Sequence, residues 1–308
     1  GSLSFFLQLR GKSPQKTSTN AGMSVLMRLQ IYASHQRKQR QAANCRVFNI
    51  PYLLLTLALA AASNGTFVKY RNLRMAELEE LKKMCGQVRR DIVRMVHAVN
   101  SGHPGGSLGC VEYFVALYGK VMKHDPPKFS MDGIGEDLFF LSNGHISPVF
   151  YSVLARTGYF PLEELKTFRK INSRLQGHPT THEGLEGVRM SSGSLGQGLS
   201  VAIGAAQTKK LNHDNSLIYS LHGDGELQEG QIWEAAMYAA HNKIDNLISC
   251  IDYNQQQIDG SIQDVLDLGN LKDKWQAFGW QVLEMNGNKM EEILSTIKTA
   301  KSLTGKGN

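Results

Sequence analysis

An apolar run, Leu217–His222 (LIYSLH), gives way at once to GDGELQEG, Gly223–Gly230, and then to the helix-like IWEAAMYAAH, Ile232–His241. A second apolar run follows, NLISCID at Asn246–Asp252, and ends in Tyr253-Asn254-Gln255-Gln256. This pattern constrains the fold more than any other stretch of the chain. Two buried strands joined through a helix belong side by side in a parallel sheet, linked by a right-handed crossover. Asp224 and Asn254 are thirty positions apart, about the length of one such unit. Both are therefore delivered to the same rim, beyond the carboxyl ends of neighbouring strands, where open α/β sheets bind ligands.

The alternation extends in both directions. Leu78, Leu81, Met84, Val88, Ile92, Met95, Val96 and Val99 recur at helical spacing and predict an amphipathic helix from Met75 that stops at Asn100-Ser101-Gly102. Helices are also expected at Val111–Met122, Pro148–Gly158, Pro161–Lys170 and Leu195–Leu211, with a short strand at Asp137–Ser142. Toward the carboxyl end come a helix at Lys272–Phe278, a strand at Trp280–Asn286 and a helix at Met290–Lys301. The expected class is α/β, a doubly wound, mostly parallel sheet with helices on both faces.

The net charge of +7 misleads as an average. Residues 1–74 carry eleven Lys/Arg and no acid, whereas residues 75–308 hold the other 23 Lys/Arg and all 27 acids, a net of −4. A basic patch for nucleic acid is therefore not expected on the main body. The leader is expected to lie outside the functional unit, with Met75 read as a start and residues 75–308 as one domain. Its Arg- and Ser-rich, acid-free composition also fits organelle targeting. Its apolar run Pro51–Ser63 is too short to span a bilayer, so no stable membrane insertion is expected. Cys45, Cys85, Cys110 and Cys250 are scattered without a CxxC pair, as in a reducing, cytoplasmic setting rather than a zinc ribbon or disulfide framework.

The predicted rim gathers a histidine from Asn143-Gly144-His145, the carboxylate of Asp224 and the amide of Asn254. A carboxylate at the end of a core strand is costly unless a positive partner faces it. Oxygen donors of this kind suit Mg²⁺ or Ca²⁺ rather than zinc, and Mg²⁺ commonly completes its shell with phosphate oxygens. Gly223 and Gly225 let the backbone approach such a ligand. His178 and His182 are four apart, but Pro179 between them argues against a helical zinc pair. Glu226 is expected to face solvent. No strand runs into GxGxxG, which disfavours a nicotinamide site.

The blocks NSGHPGGSLG (Asn100–Gly109), LSNGH (Leu141–His145), GHP (Gly177–Pro179), GSLGQG (Gly193–Gly198), GDGELQEGQIWEA (Gly223–Ala235) and NQQQIDG (Asn254–Gly260) resemble, in family order, the amino-terminal half of transketolase. That resemblance implies a thiamine diphosphate and Mg²⁺ site. Asp224, Asn254 and the carbonyl of Gln256 would bind the metal. His145 and Gly225 would contact the diphosphate, Gly193, Ser194 and Leu195 would line the cofactor, and Ile258 would pack near its thiazolium ring. Glu229 would join an acid network across a dimer, while His103 and His178 would face the substrate. The implied reaction is two-carbon ketol transfer from a ketose phosphate to an aldose phosphate.

The family's catalytic glutamate lies in a following domain, and a further strand would follow Lys301. The chain therefore resembles the amino-terminal subunit of a split transketolase. The implied assembly is a homodimer or heterotetramer completed by a separate carboxyl-terminal subunit. Two alternatives stand beside this reading. One is a related thiamine diphosphate enzyme such as a deoxyxylulose-phosphate synthase or a two-oxoacid dehydrogenase component. The other is a non-catalytic truncated copy that only dimerises.

Overall fold

A computed structural model describes the backbone of residues 4–10 and 52–305, and side chains from Met75 to Gly305. The remainder of the basic leader, with Cys45 and most of the stretch that suggested targeting, lies outside the described residues. The chain divides into two units, residues 13–75 and residues 1–12 with 76–308. In the first, Tyr52 onward is helical. Among the described residues no helix is long and apolar enough to cross a membrane.

In chain order the elements of the larger unit begin with β1 (Ser4–Arg10), then α1 (Tyr52–Val99, which enters this unit at Ala76), α2 (Pro104–Gly109) and α3 (Val111–Ala116). There follow β2 (Leu138–Leu141), α4 (Ser147–Arg156), α5 (Gly198–Leu211), β3 (Ile218–Gly223), α6 (Gly230–His241) and β4 (Leu247–Tyr253). The small β5 (Gln256–Gln257) and β6 (Gly260–Ser261) precede α7 (Ile262–Leu266), α8 (Leu271–Ala277), β7 (Trp280–Asn286) and α9 (Met290–Leu303). The main sheet has the order β2-β3-β4-β1-β7. Strands β2, β3 and β4 run parallel, and β1 is antiparallel to both β4 and β7, so β7 shares the direction of the parallel set. The sheet is thus mostly parallel, as expected, with one reversed strand drawn from the leader.

Side chains alternate along each strand, and both faces are apolar. Phe139, Leu141, Tyr219, Leu221, Ile248 and Cys250 pack with Ile92 of α1, Phe114 of α3 and Ile293 of α9. Leu138, Phe140, Ile218, Leu247 and Ile251 pack against α5, α6 and α8 on the other side. Each fully buried Leu, Ile or Phe contributes about 1.5–3 kcal/mol. An inward ion pair anchors α1 to α4: Arg156 holds Asp91 through Nε at 2.6 Å and Nη2 at 3.0 Å, and Ser152 donates to the same carboxylate at 2.8 Å.

Two expected helices differ in form. Val111–Met122 is α-helical only to Ala116 and widens into a π turn at Leu117–Val121. There a Cβ on Gly119 would lie 2.9 Å from Leu81 of α1, so the helices touch at a glycine. Pro161–Lys170 becomes a 3₁₀ segment, Leu162–Thr167. Phe168 is buried, and the chain turns sharply at Arg169, whose φ is +56°.

Candidate thiamine diphosphate site

Three tips of the parallel strands meet at one rim. β2 ends in Ser142-Asn143-Gly144-His145, β3 in Asp224, and β4 in Asn254. Gly223 pairs with Asp252, and the Asp224 N–H donates to the Asp252 carbonyl at 3.1 Å. The Asp224 carboxylate accepts the N–H groups of Gly225 at 2.8 Å and Gln255 at 2.5 Å. It therefore touches the residue next to Asn254. Asn254 donates through Nδ2 to Asp252 at 3.0 Å, and its Oδ1 accepts from the Gln256 N–H at 2.9 Å. The sharp turn that brings Gln256 round is set by Gln255, at φ +62°.

The electrostatics of this corner are unusual. Asp224 is only 1% exposed, and among the described residues no Lys, Arg or His forms an ion pair with it. Burial raises its pKa to about 7, against the N–H of Gln255, and the nearby Asp252 adds to the rise. Asp252 is itself pushed up to about 6 by burial, although Asn254 and the Cys110 thiol at 3.3 Å lower it. Two buried acids without a cation make a corner that favours added positive charge. The donors at this corner are hard oxygens, the ligand type that divalent cations such as Mg²⁺ take.

Beside this corner stand three histidines. His103 precedes α2, and its ring meets that of His145 edge to face, with centroids 5.2 Å apart. His178 lies against the glycine of the GSLGQG loop: a Cβ on Gly193, whose φ is +140°, would sit 3.2 Å from the His178 ring. Gly144 allows the β2 tip to press on the same loop, because a Cβ there would lie 3.0 Å from the Gly193 nitrogen and closer still to Ser192. Burial lowers the pKa of all three histidines, that of His145 to about 4. Neutral imidazoles of this kind can both donate and accept a hydrogen bond.

The loops are tied by Glu226, and here the expectation of a solvent-facing side chain is overturned. Glu226 is 1% exposed. Its carboxylate accepts from the Ser142 hydroxyl, the Gly196 N–H at 2.8 Å and the Gly223 N–H at 3.2 Å. Burial alone would raise its pKa. The interactions with His222, Ser142 and Gly196 outweigh that and hold it below the usual carboxylate range. An acid in a first turn reads as surface when its donors come from loops remote in sequence.

The other expected residues are placed as follows. Gly225 sits on the 3₁₀ turn Gly225–Gln228, where a Cβ would meet Gln257 at 2.8 Å. Gly193 and Ser194 are exposed, and Leu195 is half-buried beside them. Glu229 is exposed at the start of α6, packed over Gly196. Ile258, in the β5–β6 turn, is 88% exposed. Sequence reasoning gave no role at the rim to Asp252 or Glu226, although both lie in the strand-end stretches it singled out.

A parallel sheet whose strand tips gather an acid, an amide and a histidine, facing a glycine-rich loop, defines the thiamine diphosphate class of α/β folds. Residues 81–308 match the family described as the transketolase, thiamine diphosphate binding domain, and the chain belongs to it. It is 41% identical over 228 residues to a 6-deoxy-6-sulfo-D-fructose transketolase subunit of Clostridium sp. (strain MSTE9), covering 74% of this chain and 82% of that one. It is 38% identical to one of the apulose-4-phosphate transketolase subunits, that of Phocaeicola vulgatus, covering 72% and 78%. Among solved structures it resembles Pichia stipitis transketolase in complex with sedoheptulose-7-phosphate, with a TM-score of 0.66 and 32% identity. That likeness covers 73% of this chain and 35% of the other, so the chain spans about a third of the solved transketolase it matches.

Proposed function

We propose that this chain is the thiamine diphosphate-binding subunit of a two-chain transketolase. It would use Mg²⁺ to hold the cofactor and take its catalytic glutamate from a separate carboxyl-terminal subunit. The observation that carries this reading is the buried carboxylate of Asp224 at the tip of β3, next to the tip of β4, which forms no ion pair with a Lys, Arg or His among the described residues. Asp224, the Asn254 side chain and the Gln256 carbonyl are the metal ligands in this reading. His145, Gly225, Gly193, Ser194, Leu195 and Ile258 would border the cofactor. The coverage of the two relatives that are themselves subunits supports a split enzyme, because the chain accounts for most of their length.

Once bound, thiamine diphosphate would supply the electron sink that a two-carbon ketol transfer needs. The residues of this chain supply orientation and proton handling. Backbone N–H groups of the glycine-rich loops would face the diphosphate. The neutral His103 and His178 would hydrogen-bond substrate oxygens and move protons, and Glu229, exposed at the start of α6, would meet a second copy or the partner.

Calorimetry of the full chain with thiamine diphosphate and Mg²⁺ tests the reading. Binding weakened about 10–100-fold or more in Asp224→Ala supports it, the range seen even when supporting residues of metal sites are lost. Equal binding by both proteins would reject it. Turnover with ketose donors rather than pyruvate, in the presence of the carboxyl-terminal subunit, would separate transketolase from related thiamine enzymes and from a non-catalytic copy.

A further inference from the structure

Arg169 has no place in the site as described so far, yet its surroundings are built around it. Its backbone sits at φ +56°, a conformation that costs a non-glycine residue of order 1 kcal/mol or more. The Arg169 N–H closes the loop onto the Leu175 carbonyl at 2.9 Å. The guanidinium runs back toward the rim, donating from Nη1 to Ser101 Oγ at 2.8 Å. It lies flat against Gly177, where a Cβ would stand 2.7 Å from Cζ. Any other residue at 177 would push it away.

Its electrostatic setting is as specific as its packing. Among the described residues no carboxylate lies within ion-pair distance of Arg169. Its Nε is buried without a hydrogen-bond acceptor. Elsewhere in the protein buried or half-buried arginines are neutralised: Arg156 by Asp91, Arg174 by Glu164 and Glu186, and Arg189 by Glu136. A cavity of about 320 Å³ opens beside the guanidinium, between Ser101, Gln176 and Gly177. Ser101 is two residues before His103, and Gly177 is one before His178.

We propose that Arg169 is a positioning residue for His103 and His178: its guanidinium, bonded to Ser101 and packed on Gly177, ties together the loops that carry them and sets a positive charge near both rings. The proposal rests on the reading above that these two histidines face the substrate. An imidazole that is already an imidazolium can no longer accept a proton, so a fixed cation near both rings preserves their capacity for proton transfer.

The charges around the rings agree. For His103, partial burial and then Arg169 lower the pKa; for His178, burial, then Arg169, then His103. His145, which faces His103 from the β2 tip, is neutral, and Glu226 acts on His145 rather than on these two. Among the described residues no carboxylate offsets Arg169 at either ring.

The test is an NMR titration of the His103 and His178 ring protons in the full chain, compared with Arg169→Gln and Arg169→Lys. In Arg169→Gln both midpoints should move up by about half a pH unit or more, a modest share of what a close charge produces. In Arg169→Lys, which keeps the charge, they should return most of the way to the starting values. Unchanged midpoints in Arg169→Gln would overturn the proposal. If that variant does not fold, the unmodified chain gives the same answer by salt. Raising ionic strength from about 0.01 M to about 1 M shortens the screening length from about 30 Å to about 3 Å. Both midpoints should then rise, and immobile midpoints would overturn the proposal. Thiamine diphosphate binding, measured on the same unmodified chain, reports separately: its absence would remove the functional reading without altering what the ring midpoints say about Arg169.

Discussion

The His103 and His145 rings meet edge to face at 5.2 Å, one from the start of α2 and the other from the tip of β2. Burial and the neighbouring His103 hold His145 near a pKa of about 4, below its ordinary 6.5. A depressed folded-state pKa contributes stability that is fully present above 6.5 and drains away as pH falls toward 4. The loss attributable to this ring is on the order of 3 kcal/mol. Urea unfolding at pH 7.5 and pH 4.5 should show a larger acid loss for the native chain than for His145→Gln. Equal losses would refute the assignment.

Asp224 runs the other way. Its carboxyl, raised to about 7, is protonated in the folded protein where the unfolded chain would already be ionised. Stability from this group is therefore present below pH 4 and declines as pH rises toward 7. A divalent cation must displace that proton. Apparent Mg²⁺ affinity in the presence of thiamine diphosphate should accordingly rise between pH 6 and pH 8, by up to about tenfold for each unit below 7. A flat profile by calorimetry would contradict it.

Gly144→Ala should be costly for a steric reason. The added methyl would press on Ser192 and the backbone of Gly193, with the Ser192 carbonyl carbon at 2.9 Å. Overpacking against backbone costs about 1–3 kcal/mol. Because the strained loop is the one expected to line the cofactor, thiamine diphosphate affinity should fall together with Tm in differential scanning calorimetry. Gly105→Ala, where open space surrounds the site, is the control and should leave both nearly unchanged.

Asp91→Ala removes the partner of Arg156, which it holds in a bidentate contact. Breaking one side of a buried pair costs about 3–5 kcal/mol, because the remaining charge is left without compensation. Chemical denaturation should show that loss, while Lys166→Ala, at an exposed pair with Glu163, should change stability by less than about 1 kcal/mol.

Four strands of the main sheet were legible because each is an apolar run closed within a residue or two by Gly or Asn, and Trp280–Asn286 falls where its pattern put it. The rim was legible for the same reason: His145, Asp224 and Asn254 directly follow such runs. What could not be read is what depends on partners distant in sequence. Glu226 resembles any acid near a helix start until Ser142, Gly196 and Gly223 are seen around it. Arg169 lay inside an expected helix, Pro161–Lys170, whose periodicity is helical but whose last turn is pulled out by the burial of Phe168. The π turn after Ala116 arises where Gly119 meets α1, a contact that no local pattern encodes. The strand β1 was not foreseen either, since a short apolar run in a basic leader carries no sign of its pairing partners.

Glu226 also bears on how the pocket meets its ligand. One carboxylate fastens the β2 tip, the glycine-rich loop and the β3 tip to one another through the protein's own hydrogen bonds. A cofactor arriving there does not have to freeze three independent segments, so little of its affinity is spent on ordering the protein. The same knot makes the three segments answer together: a disturbance at any one of them reaches the other two through a single carboxylate rather than ending as the loss of one contact.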